Sequence, residues 1–486
     1  MIELLSVEKK KRVIGIFLAP ILAFLAYQLP FEVQPEGKTV LAIMVFCMVF
    51  WFLEVLPLGI TAILGVSLAV LFGVVSAKKA FLSLGHPVIL LFIGSFLIAQ
   101  AMTKHGLDKR IALNLLSKDF FLKSTFRILL GFTLISFFLS MWISNTATTA
   151  MLLPLALGII ALFQANRIDK AKEFGVYLLL AIAYSASIGG TTTLVGTPTN
   201  LVGVGFLKEI GYEVDFLQWT LIVAPISFSM FGFLLFYIRH HIKGIRFEPS
   251  KVKSIILSEK KNLKPLSKGE VNTIIAFSLA VVLWVLPGVV NILGNKNLYH
   301  FLKTHLPEGI VAILAAVLLF LLTTEKGEAT LTAEDLKSID WDTVLLFGGG
   351  IALGKLIVSS GLAKYIGTKV ASLVSPDMFL LFLFTIILSL VFLTEISSNT
   401  ATTITFVPII IGALKAMGID VFYPVIGVIV AASFAFMLPI ATPPNAIIYG
   451  SRLITISKMV KLGFILNIVG SIIITLWIYI LMKLSS

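Results

Sequence analysis

Ser144-Asn145-Thr146-Ala147-Thr148-Thr149 recurs 254 residues downstream as Ser398-Asn399-Thr400-Ala401-Thr402-Thr403. Each copy lies inside a hydrophobic stretch, 134–162 and 380–414. Uncharged hydroxyls and amides are costly in such a setting unless their hydrogen bonds are filled. The matched pair of polar tips therefore implies one binding site assembled from two halves of a duplicated membrane protein.

Hydrophobic residues make up 58% of the 486-residue chain and charged residues 13%, and the mean hydropathy is +1.03. That balance is too apolar for a soluble domain and reads as an all-α polytopic membrane protein. The apolar runs reach about twenty residues, enough to cross ~30 Å of hydrocarbon as helix, and they lack the period-2 alternation of barrel strands. The net charge of +13 does not point to nucleic acid, because the basic residues fall in short connections between apolar runs. Lys9-Lys10-Lys11-Arg12 and the apolar run 13–29 resemble a signal peptide. No convincing small-residue cleavage site precedes Pro30 and many spans follow, so a retained first helix is expected. The single cysteine, Cys47, excludes an intramolecular disulfide and a cysteine metal cluster.

Eleven spans are expected, at 13–29, 40–55, 58–75, 88–102, 174–206, 217–238, 271–293, 309–322, 344–358, 422–449 and 460–481. The two segments carrying the Ser-Asn-Thr copies remain as re-entrant hairpins, each of ~40 residues, room for two half-depth helices meeting at a tip. With a cytoplasmic N-terminus, 27 of the 38 Lys and Arg fall in inner connections and ten outside, with Lys355 inside a span. This is the positive-inside pattern. It puts the C-terminus outside the cell (inner) membrane.

The duplication extends further. Leu56-Pro57-x-Gly59-Ile60-x-Ala62-Ile63-Leu64 recurs as Leu306-Pro307-x-Gly309-Ile310-x-Ala312-Ile313-Leu314, and Gly196-Thr197-Pro198-Thr199-Asn200 as Ala441-Thr442-Pro443-Pro444-Asn445. The matches keep their order, at offsets of 250, 254 and 245. Each repeat holds five crossings, an odd number, so the halves point in opposite directions, the plan of secondary transporters. The expected organisation is an N-terminal helix at 1–38, a first inverted repeat at 39–239, a cytoplasmic linker at 240–268 and a second repeat at 269–486. The hairpins fall at about 124–163 and 376–414, and broken helices at about 174–206 and 422–450.

Gly189-Gly190-Thr191-Thr192-Thr193 through Asn200, and Pro439 through Asn445, interrupt those broken helices. Unwound backbone frees carbonyls for a cation, and the next half-helix offers N–H groups to an anion. Neighbouring Ser, Thr and Asn side chains add oxygens for a hard cation and donors for a carboxylate. No run of intramembrane arginines stands ready to neutralise a dianion, so co-bound cations make physical sense. Glu395, three residues before the second tip, is placed to cap or brace it. An enzyme is not expected. The histidines lack metal-ligand spacing, and Gly348-Gly349-Gly350 lacks the Lys-Ser/Thr of a phosphate loop.

The paired Ser-Asn-Thr hairpins and Ser433-x-x-Phe436-x-x-Pro439-Ile440-Ala441-x-x-x-Asn445 closely resemble the divalent anion/sodium symporter family, carriers of dicarboxylates, citrate or sulfate. Phe92-Ile93-Gly94-Ser95-Phe96, Gly106-Leu107-x-Lys109-Arg110 and Phe347-Gly348-Gly349-Gly350 are similar to family segments too, so the likeness covers nearly the whole chain. The resemblance implies two Na+ sites, the first from Ser140, Ser144, Asn145 and the Gly196 carbonyl, the second from Thr394, Ser398, Asn399 and the Ala441 carbonyl. It implies that substrate lies between Ser144-Asn145-Thr146 and Ser398-Asn399-Thr400, flanked by Thr197-Pro198 and Thr442-Pro443. It also implies a homodimer in a lipid bilayer, with a domain that moves like an elevator against a scaffold formed by helices near 40–75 and 271–322. The expected function is sodium-coupled import of C4 dicarboxylates such as succinate, malate or fumarate. The alternatives are a sodium-independent dicarboxylate exchanger and a sulfate or citrate carrier. One departure bears on that choice: Thr199 stands where the second repeat has Pro444, restoring an N–H and adding a hydroxyl.

Overall fold

The computed structural model describes residues 2–166, 168, 170–245, 249–372 and 378–485, and side chains from residue 9 onward apart from 249 and 250. The expected hairpin start at 376, and 246–248 of the expected linker, lie outside the described residues.

Among the described residues the chain is helical except for connections and one isolated bridge between Thr323 and Ala329. Its first half runs α1 (Ile2–Gln28), α2 (Pro35–Phe52), α3 (Leu58–Leu71), α4 (Ala77–Phe81), α5 (Pro87–His105), α6 (Leu107–Leu116), α7 (Asp119–Leu122), α8 (Thr125–Ser140), α9 (Asn145–Ala165), α10 (Ala171–Thr191), α11 (Pro198–Glu209) and α12 (Phe216–His241). After α13 (Pro249–Lys261), the second half runs α14 (Lys268–Ile292), α15 (Lys296–His305), α16 (Glu308–Leu321), α17 (Trp341–Ser359), α18 (Leu362–Ala371), α19 (Phe379–Leu393), α20 (Asn399–Ala416), α21 (Phe422–Ala431), α22 (Pro443–Gly450) and α23 (Ile456–Ser485).

Among the described residues, ten helices are long and apolar enough to cross a membrane, or eleven if α15 and α16, bent by 57° at their junction, form one span. The protein is thus an all-α polytopic membrane protein. The long helices include α9, with 21 residues, and α20, with 18, although the sequence assigns both to half-depth arms. Their partners α8 and α19 have 16 and 15 residues. Helix length alone therefore does not separate a re-entrant arm from a span. Both long arms run through an internal proline, Pro154 and Pro408, each nine residues past the asparagine of its tip. α6, α13, α15 and α18 replace what the sequence reading takes as plain connections. They are short, and α6 and α18 each follow a glycine, Gly106 and Gly361, held at φ 76°. That left-handed backbone is where glycine ends one helix and turns the chain into the next.

The recurring Leu-Pro-x-Gly-Ile-x-Ala motif makes two matched helix contacts. α3 packs on α17 and α16 packs on α5, so each copy meets a helix from the other half of the chain. A Cβ at Gly59 would collide with the Asp342 carbonyl oxygen, and one at Gly349 would sit 2.7 Å from the Ala62 methyl. In the other pair, a Cβ at Gly309 would lie 2.5 Å from the Pro87 carbonyl oxygen, and one at Gly94 2.6 Å from the Ala312 methyl. Small residues three apart share one helix face, and in lipid close backbone approach replaces the hydrophobic effect as the source of association. Trp51 of α2 donates its indole N–H to the Leu58 carbonyl at 3.0 Å, as Trp284 of α14 does to the Glu308 carbonyl at 3.0 Å, tying the two motif starts to α2 and α14.

Burial sorts the helices further. α10 is buried on all sides, whereas α1 exposes Phe17 and Phe24 and α14 exposes Val282 and Ile292, apolar surface suited to lipid tails.

Candidate functional site

α8 ends and α9 begins at the first Ser-Asn-Thr segment, and α19 and α20 are divided by the second. Ser144 is the N-cap of α9, its Oγ accepting the Ala147 N–H at 3.1 Å. Thr149 and Thr403 donate their hydroxyls to the Asn145 and Asn399 carbonyls at 2.9 and 3.0 Å, so both polar runs close their own first turn. These bonds meet part of the segments' polar demand among apolar helices, and the buried Thr148 hydroxyl is left without a hydrogen-bond partner among the described residues. Ser144 and Thr146 remain exposed, and Asn145, Ser398 and Asn399 are half-buried.

The interruptions in α10–α11 and α21–α22 start new helices in the same manner. Thr197 is the N-cap of α11 with Pro198 at its first turn, and Thr442 is the N-cap of α22 with Pro443. Pro pre-sets the helical φ where its missing N–H costs nothing. Every residue expected to touch substrate (Ser144, Asn145, Thr146, Thr197, Pro198, Ser398, Asn399, Thr400, Thr442 and Pro443) therefore stands at the start of one of four helices. All four ends present the positive pole of the helix dipole, and helix starts generally offer N–H groups to an anion; α22 instead opens on Pro443 and Pro444, and the Asn445 N–H is taken by the Thr442 hydroxyl. The helices pair crosswise, α9 against α22 and α20 against α11.

The residues expected around the first cation come together. Ser140 Oγ donates to Asn145 Oδ1. A Cβ at Gly190 would run into that Oδ1, while one at Gly196 would run into the Gly190 carbonyl oxygen and approach the Ser140 carbonyl oxygen to 2.8 Å. Only glycine lets the unwound backbone lie this close to the tip. In the second half the Thr394 hydroxyl lies 2.6 Å from Asn399 Oδ1 and 2.8 Å from the Ala432 carbonyl oxygen. Among the described residues no hydrogen bond joins Ala441 to Asn399; Ala441 lies in the segment just before α22 and bonds Leu438 through its N–H at 3.2 Å. The oxygens gathered here are hydroxyl, amide and carbonyl, which suit a hard monovalent ion. Among the described residues no three His, Cys, Asp or Glu side chains gather as a metal site.

Glu395 braces the second half, as its position beside the tip implied. Its Oε1 accepts the Phe436 and Met437 N–H groups at 2.6 and 2.8 Å and the Asn467 amide at 2.8 Å, and its Oε2 accepts the Leu438 N–H at 3.0 Å. Tyr184 on α10 donates its hydroxyl to the Phe436 carbonyl at 2.6 Å, binding one half to the other's interruption. The partners Asn467, Tyr184 and Trp219, whose indole N–H reaches the Thr191 carbonyl at 3.1 Å, escaped the sequence reading, since each sits singly in an otherwise apolar run.

A helical membrane protein with four helix starts meeting as crosswise pairs around breaks is a secondary transporter in its class. The chain belongs to the family described as the sodium:sulfate symporter transmembrane region, which matches residues 8–484. It is 34% identical over 503 residues to the sodium-dependent dicarboxylate transporter SdcS of Staphylococcus aureus strain USA300, covering 99% of this chain and 94% of that protein. SdcS of the bovine strain RF122 / ET3-1 matches at the same 34% and the same coverage. In fold, the chain is similar to Neisseria gonorrhoeae MtrF, described among antimetabolite efflux pumps, with a TM-score of 0.56 at 15% identity, over 96% of this chain and 93% of that one.

Proposed function

We propose that this protein imports C4 dicarboxylates such as succinate, malate or fumarate, coupled to sodium, by an elevator-type alternating-access mechanism. The observation that carries the reading is that all ten expected substrate residues stand at four helix starts, next to gathered hydroxyl, amide and carbonyl oxygens. Two carboxylates accept N–H and hydroxyl donors from opposite tips. A Na+ held by Ser140, Ser144, Asn145 and the Gly196 carbonyl, and another by Thr394, Ser398, Asn399 and the Ala441 carbonyl, offset the dianion's charge at mid-membrane. The SdcS relatives, named as sodium-dependent dicarboxylate transporters, support both the substrate class and the coupling ion.

The inverted repeat in this reading joins α2 to α12 and α14 to α23, and is supported by the matched Gly59 and Gly309 contacts. The two hairpins are α8–α9 and α19–α20. The N-terminus is cytoplasmic, the C-terminus is outside, and the molecule works as a homodimer whose scaffold includes α2, α3, α14 and α16.

Uptake of labelled succinate into proteoliposomes with and without an inward sodium gradient tests the reading. Gradient-driven accumulation is expected. Equal exchange in sodium and in choline would replace it with the sodium-independent exchanger, the choice on which Thr199 at the Pro444-equivalent position bears. Accumulation of sulfate or citrate but not succinate would keep the mechanism and change the cargo.

A further inference from the structure

Asn200 and Asn445 close the last repeated motif, yet neither belongs to the expected ligand or substrate sets. Both are fully buried. The Asn200 Nδ2 group reaches back to the carbonyls of Gly190 at 3.1 Å, Thr191 at 3.2 Å and Thr193 at 2.7 Å. The Asn445 Nδ2 group reaches the carbonyls of Ala435 at 3.2 Å and Leu438 at 3.1 Å. The register is the same in both: ten and seven residues before the asparagine. Asn200 thus bolts the first turn of α11 back to the last turn of α10 and to Thr193 just beyond it, while Asn445 bolts the first turn of α22 back to the unwound stretch that follows α21.

The side-chain orientation follows from these bonds. A flipped amide would set its oxygen against the same carbonyl oxygens, so Nδ2 must face them. As oriented, Asn200 Oδ1 and Asn445 Oδ1 are buried without a hydrogen-bond partner among the described residues. A buried acceptor left unpaired costs stability, so the Nδ2 bonds dictate where each side chain lies.

What the bolt holds is the floor of each tip. Gly190, whose carbonyl Asn200 takes, is the residue against which Asn145 Oδ1 rests. Thr193, a second partner, donates its hydroxyl to the Met141 carbonyl at 2.5 Å, next to Ser140. In the other half, Leu438 links Asn445 to Glu395, the neighbour of Thr394.

We infer that Asn200 and Asn445 are positioning residues for the two cation sites, each setting the spacing of the unwound carbonyls on which its own tip closes. The inference rests on the sodium reading above. It gives each asparagine one site: Asn200 the site of Ser140 and Asn145, Asn445 that of Thr394 and Asn399.

Asn200→Asp and Asn445→Asp keep the side-chain size and remove the donors. In proteoliposomes the sodium concentration for half-maximal succinate uptake should rise at least about tenfold, equivalent to 1.4 kcal/mol. The maximal rate at saturating sodium should fall less than about threefold, a split that general destabilisation would not produce. Combined with Ser140→Ala, the Asn200→Asp loss should overlap, and combined with Thr394→Ala it should add; Asn445→Asp should behave in the reverse way. Should an aspartate variant aggregate, Asn200→Ser or Asn445→Ser, which retains one donor, is measured instead, with the same expectation at a smaller shift. Unchanged sodium half-saturation in folded variants, or losses that add with both tips alike, overturns the inference. Wild-type uptake indifferent to sodium defeats the functional reading itself, and is seen before any variant is made.

Discussion

The Thr394 hydroxyl lies 2.6 Å from Asn399 Oδ1, fixing the amide oxygen at the break between α19 and α20. Removing it frees Asn399 to rotate and deletes one oxygen from the proposed second sodium site. Thr394→Ala should raise the sodium half-saturation by about tenfold, roughly the worth of one hydrogen bond or neutral ligand. Succinate binding at saturating sodium should move far less. A sodium titration identical to wild type would remove Thr394 from the site.

Asn145 and Asn399 are each assigned to a cation and to the substrate. Asn145→Ala and Asn399→Ala should therefore abolish succinate uptake while the purified protein stays monodisperse, with a melting midpoint within a few degrees of wild type. Wild-type uptake by either folded variant refutes the assignment.

A Cβ at Gly94 would sit 2.6 Å from the Ala312 methyl and closer still to the Ala312 backbone, which cannot move aside as a side-chain tip could. Gly94→Leu should cost about 3 kcal/mol or more by overpacking, and Gly309→Leu should do the same. Gly158 in α9 has open space around it, so Gly158→Ala should leave stability unchanged or slightly raised. Thermal unfolding in detergent separates the three. Equal midpoints would mean that the crosswise contacts do not set the fold.

Asp335, outside the spans, offers a pH test. Burial pushes its carboxyl up, but the bond from the Lys104 ammonium at 2.6 Å and the Thr332 N–H at 2.6 Å outweigh it and hold it below the usual aspartate range. A depressed folded value means that the stabilisation is present above the unfolded pKa of ~3.9 and is lost as pH falls through the lower folded value. The wild-type melting midpoint should therefore drop more steeply below about pH 4 than that of Asp335→Asn, which lacks the titration. Parallel curves would show that the ion pair adds nothing.

Orientation is checked by labelling. In a Cys47→Ala background, Lys251→Cys on α13 should react with an impermeant thiol reagent in inside-out vesicles and stay unlabelled in right-side-out ones. The opposite pattern would invert the topology.

The sequence by itself determined the helical membrane class, the family and the two polar tips, because apolar runs and a repeated Ser-Asn-Thr are chemical facts visible without coordinates. It also placed Glu395 beside the second tip, since a lone carboxylate in an apolar run must find donors. Helix lengths were less legible. α9 and α20 run to 21 and 18 residues because each helix continues through its internal proline. α6 and α18 read as loops because their short amphipathic runs follow glycines that end the preceding helices. Only the tertiary structure decided that Gly59 meets Asp342 while Gly309 meets Pro87, and that Asn200 and Asn445 bolt their breaks in one register. Those contacts depend on which backbone atoms approach across a helix pair or an unwound segment, and residue type alone leaves that distance open.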